Sequence, residues 1–295
     1  MTMATLEAIR KRIGTAEDLQ SVVRTMKGVA AANIRQFEAA ITSLTGYARV
    51  VELGFQALLR AEPERIRTAV PDAPGRLAAV VFGSDQGLCG RFNSQVVEYA
   101  TGEVRREAGP HAASLLAVGG RAGPMLEADG LAVEATLSPP TSLAGIRTLV
   151  RDLLIRLETW RREGRADRIL LIYNASAGGM TYRPHTHRLY PLDLAWLGRL
   201  RDAPWPSRRL AMHTVAWPDL FAALVREYFH IALFRAAAES LAGENASRLA
   251  SMQAAEGNID DRLGVLQQHY RLSRQQAITE ELLDIVSGFE ALSGH

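Results

Sequence analysis

Three stretches and one cysteine carry residue types that do chemistry elsewhere, and none has the pattern that chemistry needs. Gly83-Ser-Asp-Gln-Gly87-Leu-Cys-Gly90 follows an apolar run and has the glycines of a phosphate loop. Such a loop ends in Gly-Lys-Ser/Thr, whose lysine reaches the phosphates, and a dinucleotide fingerprint reads GxGxxG. This stretch is neither. Val118-Gly-Gly-Arg-Ala-Gly123 also lacks GxGxxG, and no acidic residue follows at the distance that would meet a ribose. His185 and His187 stand two apart in a loop-like stretch, Tyr182 to Tyr190, with no cysteine or acidic neighbour to complete a metal set. Cys89 is the only cysteine. It makes no internal disulfide, which fits a reducing compartment, and it reads as a small buried residue sooner than as a reactive thiol. No GxSxG elbow or HExxH helix is present. The glycine stretches read as turns from strand to helix, and no catalytic, cofactor-binding or metal site is expected.

Residues 76–192, which carry these stretches, alternate in pattern. Leu77–Gly83, Ser114–Val118, Leu131–Thr136 and Arg168–Asn174 read as strands, and Asn93–Ala108 and Thr141–Glu163 as helices. Alternation of this kind predicts a Rossmann-like α/β domain with a mostly parallel sheet. All twelve prolines fall between Pro63 and Pro218. Proline inside a helix costs about 3 kcal/mol, so the proline-free ends read as two long helices around an insert. The predicted segments are an amino-terminal helix over 1–62, an α/β domain over 63–218 and a carboxyl-terminal helix over 219–295.

Both ends carry an apolar stripe at a period of roughly 3.5 residues, that of a left-handed coiled coil. The first runs through Leu6, Ile9, Ile13, Ala16, Leu19, Val23, Met26 and Ala30 to Ile34, Phe37, Ile41 and Leu44. The second includes Phe221, Leu224, Leu249, Met252, Leu263 and Leu266, and continues through Ile278, Leu282, Ile285 and Phe289 after a slip in register. The stripes predict a long antiparallel coiled coil, with Met26 beside the final third of the carboxyl-terminal helix. That helix, at roughly 110 Å, would outreach its partner and leave one end for other proteins.

Composition agrees with a folded chain. The net charge of +2 conceals an acidic end, because residues 219–295 carry 6 basic and 11 acidic groups. No basic stripe interleaved with aromatics suggests nucleic acid. The first residues lack the apolar run of a secretory signal, and no stretch of about 18 apolar residues would span a membrane. The expected location is cytoplasmic, or on the cytoplasmic face of something larger.

Three regions together resemble the gamma subunit of F-type ATP synthases. At the amino end these are Ile9-Arg-Lys-Arg-Ile13 and Val22-Val-Arg-Thr-Met26-Lys-Gly-Val-Ala-Ala-Ala-Asn33. In the middle they are Ser84-Asp-Gln-Gly-Leu-Cys-Gly90-Arg-Phe-Asn93 and Glu163 to Asn174. At the carboxyl end they are Asn245-Ala-Ser-Arg248-Leu-Ala-Ser-Met252-Gln-Ala-Ala-Glu256-Gly-Asn258 and Arg274 to Gly288. The resemblance implies a non-catalytic central rotor shaft that couples ion flow through a membrane ring to ATP synthesis or hydrolysis in a catalytic ring. It implies alpha and beta subunits as partners around the shaft, the epsilon subunit and membrane c-ring at its base, no cofactor, and a peripheral place on the cytoplasmic face of the inner membrane. It also implies coupling contacts to the ring at Met26, Arg248, Gln275, Thr279 and Glu281. From the residues alone, Met26 equally fits the packed stripe, Arg248 equally fits a solvated side chain, and the last three share a polar flank.

Departures from the family's pattern stand at Lys27, where it has an acidic residue, at Asn33, where it has lysine, and at Gln86, Arg91 and Phe92 in the glycine loop. A divergent rotary ATPase, with sodium as a possible transported ion, is one alternative. An unrelated α/β enzyme with coiled-coil arms and an unrelated coiled-coil scaffold are the others.

Overall fold

The structure is a computed structural model describing residues 3–65, 75–109, 113–177, 181–209 and 211–293. Part of the linker at the start of the expected α/β domain lies outside the described residues, and of residues 3–5 and 290–293 only the backbone is described. Helix α1 runs Met3–Ala61 and helix α6 runs Trp217–Ser293, as the absence of proline from both ends predicts. Packing divides the chain into two units, one made of residues 1–30 with 249–295 and one of residues 31–248.

In the larger unit a sheet is built from β1 (Leu77–Phe82), β2 (Ser114–Val118), β3 (Val133–Leu137), β4 (Arg168–Ser176) and β5 (Tyr182–Tyr190). The order is β3-β2-β1-β4-β5. The first four are parallel and β5 is antiparallel to β4. Central β1 is buried at every residue, as a strand covered on both faces must be. Edge strand β3 alternates between half-buried and exposed. Helices α2 (Phe92–Ala108) and α3 (Ala122–Ala128) cover one face, packing Val97, Ala100 and Leu126 on Ala79, Val81 and Ile172. The other face meets α4 (Leu143–Arg162) and the α1 and α6 residues of this unit, with Leu153, Phe55, Leu58 and Leu233 against Val80, Phe82 and Leu171. Helix α5 (Leu194–Asp202) adds Leu197 to that core. Side chains cap two helices: the Ser142 hydroxyl accepts from the Gly145 N–H at 3.3 Å, and the Asp193 carboxylate from the Ala195 N–H at 2.8 Å.

The strand and helix expectations hold to within two residues at each boundary, and three elements are additional. Short helices α3 and α5 were not separated from their loops. Tyr182–Tyr190, expected as a loop, is strand β5. Its pattern is blurred because Pro184 and two histidines interrupt the alternation of β-branched and aromatic residues. Pro184 is tolerated because β5 is an edge strand of the sheet.

Candidate functional site: the two terminal helices

Within the smaller unit α1 and α6 run antiparallel. The Gln20 amide donates to Asp260, Arg24 Nε approaches Glu256 at 3.1 Å, and Lys27 Nζ contacts the other oxygen of Glu256. Val23 and Ala30 of α1 are buried, as are Met252, Leu263 and Leu266 of α6. The two cations hold the Glu256 carboxyl below the usual carboxylate range, Lys27 more than Arg24. Lys27, a departure from the family pattern in the sequence, therefore answers Glu256 across the pair. Within the larger unit the pairing continues with Asn33 Nδ2 donating to Asn245 Oδ1 at 3.2 Å and the Tyr47 hydroxyl to Glu227 at 2.6 Å.

This register corrects the sequence expectation. The turn of α1 that carries Met26 is level with Glu256, in the middle of α6, and not with its final third. The periodicity of an apolar stripe fixes which face is buried but leaves the axial offset open; the polar pairs supply the offset. The stripe itself is displaced at one point. Leu19 is half exposed while neighbouring Gln20 turns inward to Asp260.

Met26 is half-buried at this pair. Arg248, in the larger unit, is buried and its Nη2 donates to Glu244 at 2.6 Å, one turn earlier on α6. The solvated alternative for Arg248 does not hold. Burial pushes the Glu244 carboxyl above its usual range even against the pull of Arg248, and Arg248 Nε is buried without a hydrogen-bond partner. Gln275, Thr279 and Glu281 are all exposed. The Thr279 hydroxyl donates to the Gln275 carbonyl at 2.9 Å, so those two share a face. Glu281 lies two residues on, about 200° around a regular helix, which removes it from a common flank. Glu244 and Glu256 were not among the expected site residues; both lie inside or beside the quoted carboxyl-terminal motif, and their role needed the pairing register to be visible.

Beyond Tyr270 the large apolar side chains described on α6 are exposed. Leu272, Ile278, Leu282, Leu283, Ile285, Val286 and Phe289 are each about half exposed or more, Phe289 at 70%. Apolar residues of this exposure on single sites are ordinary, but six from Leu272 to Val286 along one helix end make an exposed apolar surface among the described residues.

The stretches that resembled chemical motifs are turned inward. Asn93 accepts the Ser84 N–H at 2.9 Å and donates to the Ser84 hydroxyl at 2.8 Å. The Asp85 carboxylate accepts the Gly120 N–H at 2.5 Å. Gly119, with φ +109°, brings β2 so close that an added Cβ would stand 2.6 Å from the Ser84 nitrogen, which accounts for the second glycine stretch. Cys89 is buried. His187 Nε2 lies 3.1 Å from the Tyr228 hydroxyl, and burial lowers its pKa to about 4. Among the described residues no three His, Cys, Asp or Glu side chains are grouped to hold a metal ion, and no helix is long and apolar enough to cross a membrane.

A family model described as ATP synthase matches residues 5–292. The ATP synthase gamma chain of Granulibacter bethesdensis is 31% identical, covering 98% of this chain and 100% of its own length. That of Syntrophus aciditrophicus is 29% identical, covering 99% of both. Among solved structures, a chain of the Euglena gracilis mitochondrial ATP synthase rotor aligns with a TM-score of 0.61 at 18% identity, over 94% of this chain and 100% of that one. A chain of the same enzyme's OSCP/F1/c-ring assembly gives 0.63 at 20% identity, over 99% and 95%. These structures share the fold. The match runs from α1 through the sheet to the end of α6, which leaves no room for an unrelated scaffold: the chain belongs to the ATP synthase gamma chain family.

Proposed function

We infer that the chain is the central-stalk rotor subunit of an F-type ATP synthase, coupling ion flow through a membrane ring to ATP synthesis or hydrolysis in a catalytic ring. The observation that carries this reading is the exposed apolar end of α6 from Leu272 to Val286, beside family membership over nearly the whole chain. An apolar helix end of this extent needs a partner to cover it, and the alpha and beta subunits of the catalytic ring are the partners the family supplies. The epsilon subunit and the c-ring are placed at the base of the stalk. The subunit works from the cytoplasmic face of the membrane, as a peripheral protein.

In this reading the segments 1–62 and 219–295 form the shaft and 63–218 the α/β domain. Met26, Arg248, Gln275, Thr279 and Glu281 tune contact with the ring. Coupling requires contacts whose energy differs between rotor angles. Exposed Gln275, Thr279 and Glu281 are free to make them directly, whereas buried Arg248 acts by holding the backbone of α6. The chain contributes no catalytic site of its own. That view is supported by the glycine loops, where Asn93, Asp85 and the Ser84 hydroxyl already engage the groups a phosphate would need. The test is reconstitution. Purified chain mixed with alpha and beta subunits is expected to co-migrate with them and to yield ATPase activity that the chain alone lacks. Micromolar ATP binding by the chain alone, or failure to join the other subunits, would reject the reading.

A further inference from the structure

A cleft of about 650 Å³ lies within the larger unit, bounded by β4, β5, α5 and adjacent turns of α1 and α6. Cavities of this size, roughly 300–1,000 Å³, hold small ligands. One wall carries Arg235, whose Nε is buried without a hydrogen-bond partner, and among the described residues its guanidinium makes no hydrogen bond or ion pair. A sheltered cation without an anion is unfavourable, and cations so placed are ordinarily paired. The other charges of the cleft are largely committed. Asp193 is 3.7 Å from Arg199, Glu52 is 3.3 Å from Arg49, and Arg188 is 3.9 Å from Glu107. Glu239 lies one turn beyond Arg235 and attracts it, but among the described residues the two form no hydrogen bond or ion pair. Lining the same cleft are two flat rings, Trp196 of α5 and Tyr228, two turns before Arg235 on α6, with centroids 5.1 Å apart and planes tilted by 35°.

We propose that this cleft binds a small aromatic monocarboxylate, its carboxylate on Arg235 and its ring against Trp196 and Tyr228. A monoanion is favoured over a phosphate because one cation is uncommitted and three carboxylates, Glu52, Asp193 and Glu239, also line the cleft. Ring stacking and a charge-assisted hydrogen bond to guanidinium are the two recognition terms.

Benzoate and phenyl phosphate are the probes, titrated into the full chain at neutral pH by calorimetry, with tryptophan fluorescence as a second reading. Benzoate is expected to bind saturably, to raise the melting temperature and to bind more tightly than phenyl phosphate. Arg235→Met should weaken benzoate by roughly tenfold or more, and Trp196→Phe should remove the fluorescence response. Glu239→Gln, which removes a neighbouring carboxylate, should tighten benzoate, and it keeps the test open if Arg235→Met fails to fold. Absence of saturable benzoate binding, equal affinity in Arg235→Met, or weaker binding in Glu239→Gln would each overturn the site. Tighter binding of phenyl phosphate would overturn its assignment to monocarboxylates. A cleft that closes to both probes only when other subunits are bound would also count against it, by pointing to a partner's side chain.

Discussion

The two stretches of α6 are made of similar residues and put to opposite uses. Within residues 31–248, Leu233, Ala236, Ala238 and Ala242 are fully buried, packed with the sheet and the same unit's part of α1. Within the smaller unit, Leu282, Leu283, Ile285 and Phe289 are more than half exposed. Both stretches are proline-free and regular helix. The difference teaches that apolar content alone does not measure a core. The first stretch stabilises this chain, while the second leaves its apolar residues exposed, as the proposed contact with another subunit requires.

The same contrast appears in the two ion pairs. Glu244 with Arg248 is buried, and there burial outweighs the guanidinium, so the folded carboxyl titrates higher than an ordinary one. Glu256, half-buried between Lys27 and the exposed Arg24, titrates lower. The first pair helps to fix a packing arrangement at a solvation penalty. The second clamps one helix on the other and is exposed to salt and solvent.

The sharpest way to break the comparison is to remove buried charge. Arg248→Ala strands Glu244 in a buried site and should destabilise the chain by about 3–5 kcal/mol, read as a lowered midpoint in denaturant. Arg248→Ala combined with Glu244→Ala should recover part of that loss. A single variant as stable as the parent would show that the pair is not sheltered. Next in size, Leu233→Ala should cost about 2–5 kcal/mol, whereas Leu282→Ala should stay within about 0.5 kcal/mol in the isolated chain. Equal losses would mean that the outer stretch of α6 is packed after all.

The pH profiles should diverge in sign. A carboxyl whose folded pKa is lowered contributes stability above its unfolded pKa and loses it as pH falls through the folded value. The Glu256 clamp is therefore present at neutral pH and released in acid, and Glu256→Gln should flatten the acid-side loss of helix pairing. A carboxyl whose folded pKa is raised contributes most below its unfolded pKa and loses that contribution as pH rises through the folded value. Glu244 should thus favour folding slightly more at mildly acid pH than at neutral pH. Fluorescence or spin-label distances between α1 and α6 at positions near Lys27 and Glu256, followed from neutral to acid pH, separate the two profiles. A clamp that tightened in acid would contradict the assignment. The smallest effect on folding is expected for Gln275→Ala with Glu281→Ala. Within the assembled enzyme this pair should instead lower ion transport relative to ATP hydrolysis, by a coupling of about 1–3 kcal/mol per contact. An unchanged ratio would remove both residues from the contacts.

Much of this was legible beforehand because it depends on local chemistry. Proline placement marked the long helices, and alternating apolar runs marked four of the five strands. Strand β5 was missed because Pro184, His185 and His187 break its pattern, and only its antiparallel pairing with β4 makes it a strand. The offset between α1 and α6 was unreadable for a different reason. A stripe repeating every three or four residues looks the same after a shift of one heptad, and polar pairs such as Gln20 with Asp260 and Lys27 with Glu256 break the tie. Arg248 misled because arginine is seldom buried; its partner Glu244 at four residues' spacing was the available signal. Gln275 and Thr279 do share a face, whereas Glu281 stands on another side of the helix, a separation that nearness in sequence does not reveal.

The central claim is that the outer end of α6 is bare in this chain because another subunit covers it. Ile285→Cys in a Cys89→Ser background places one thiol at a position that is 63% exposed, for labelling by a maleimide in the isolated chain and in the reconstituted complex with alpha and beta subunits. The account predicts rapid labelling of the isolated chain and strong protection in the complex. Equal labelling rates in the two would contradict it.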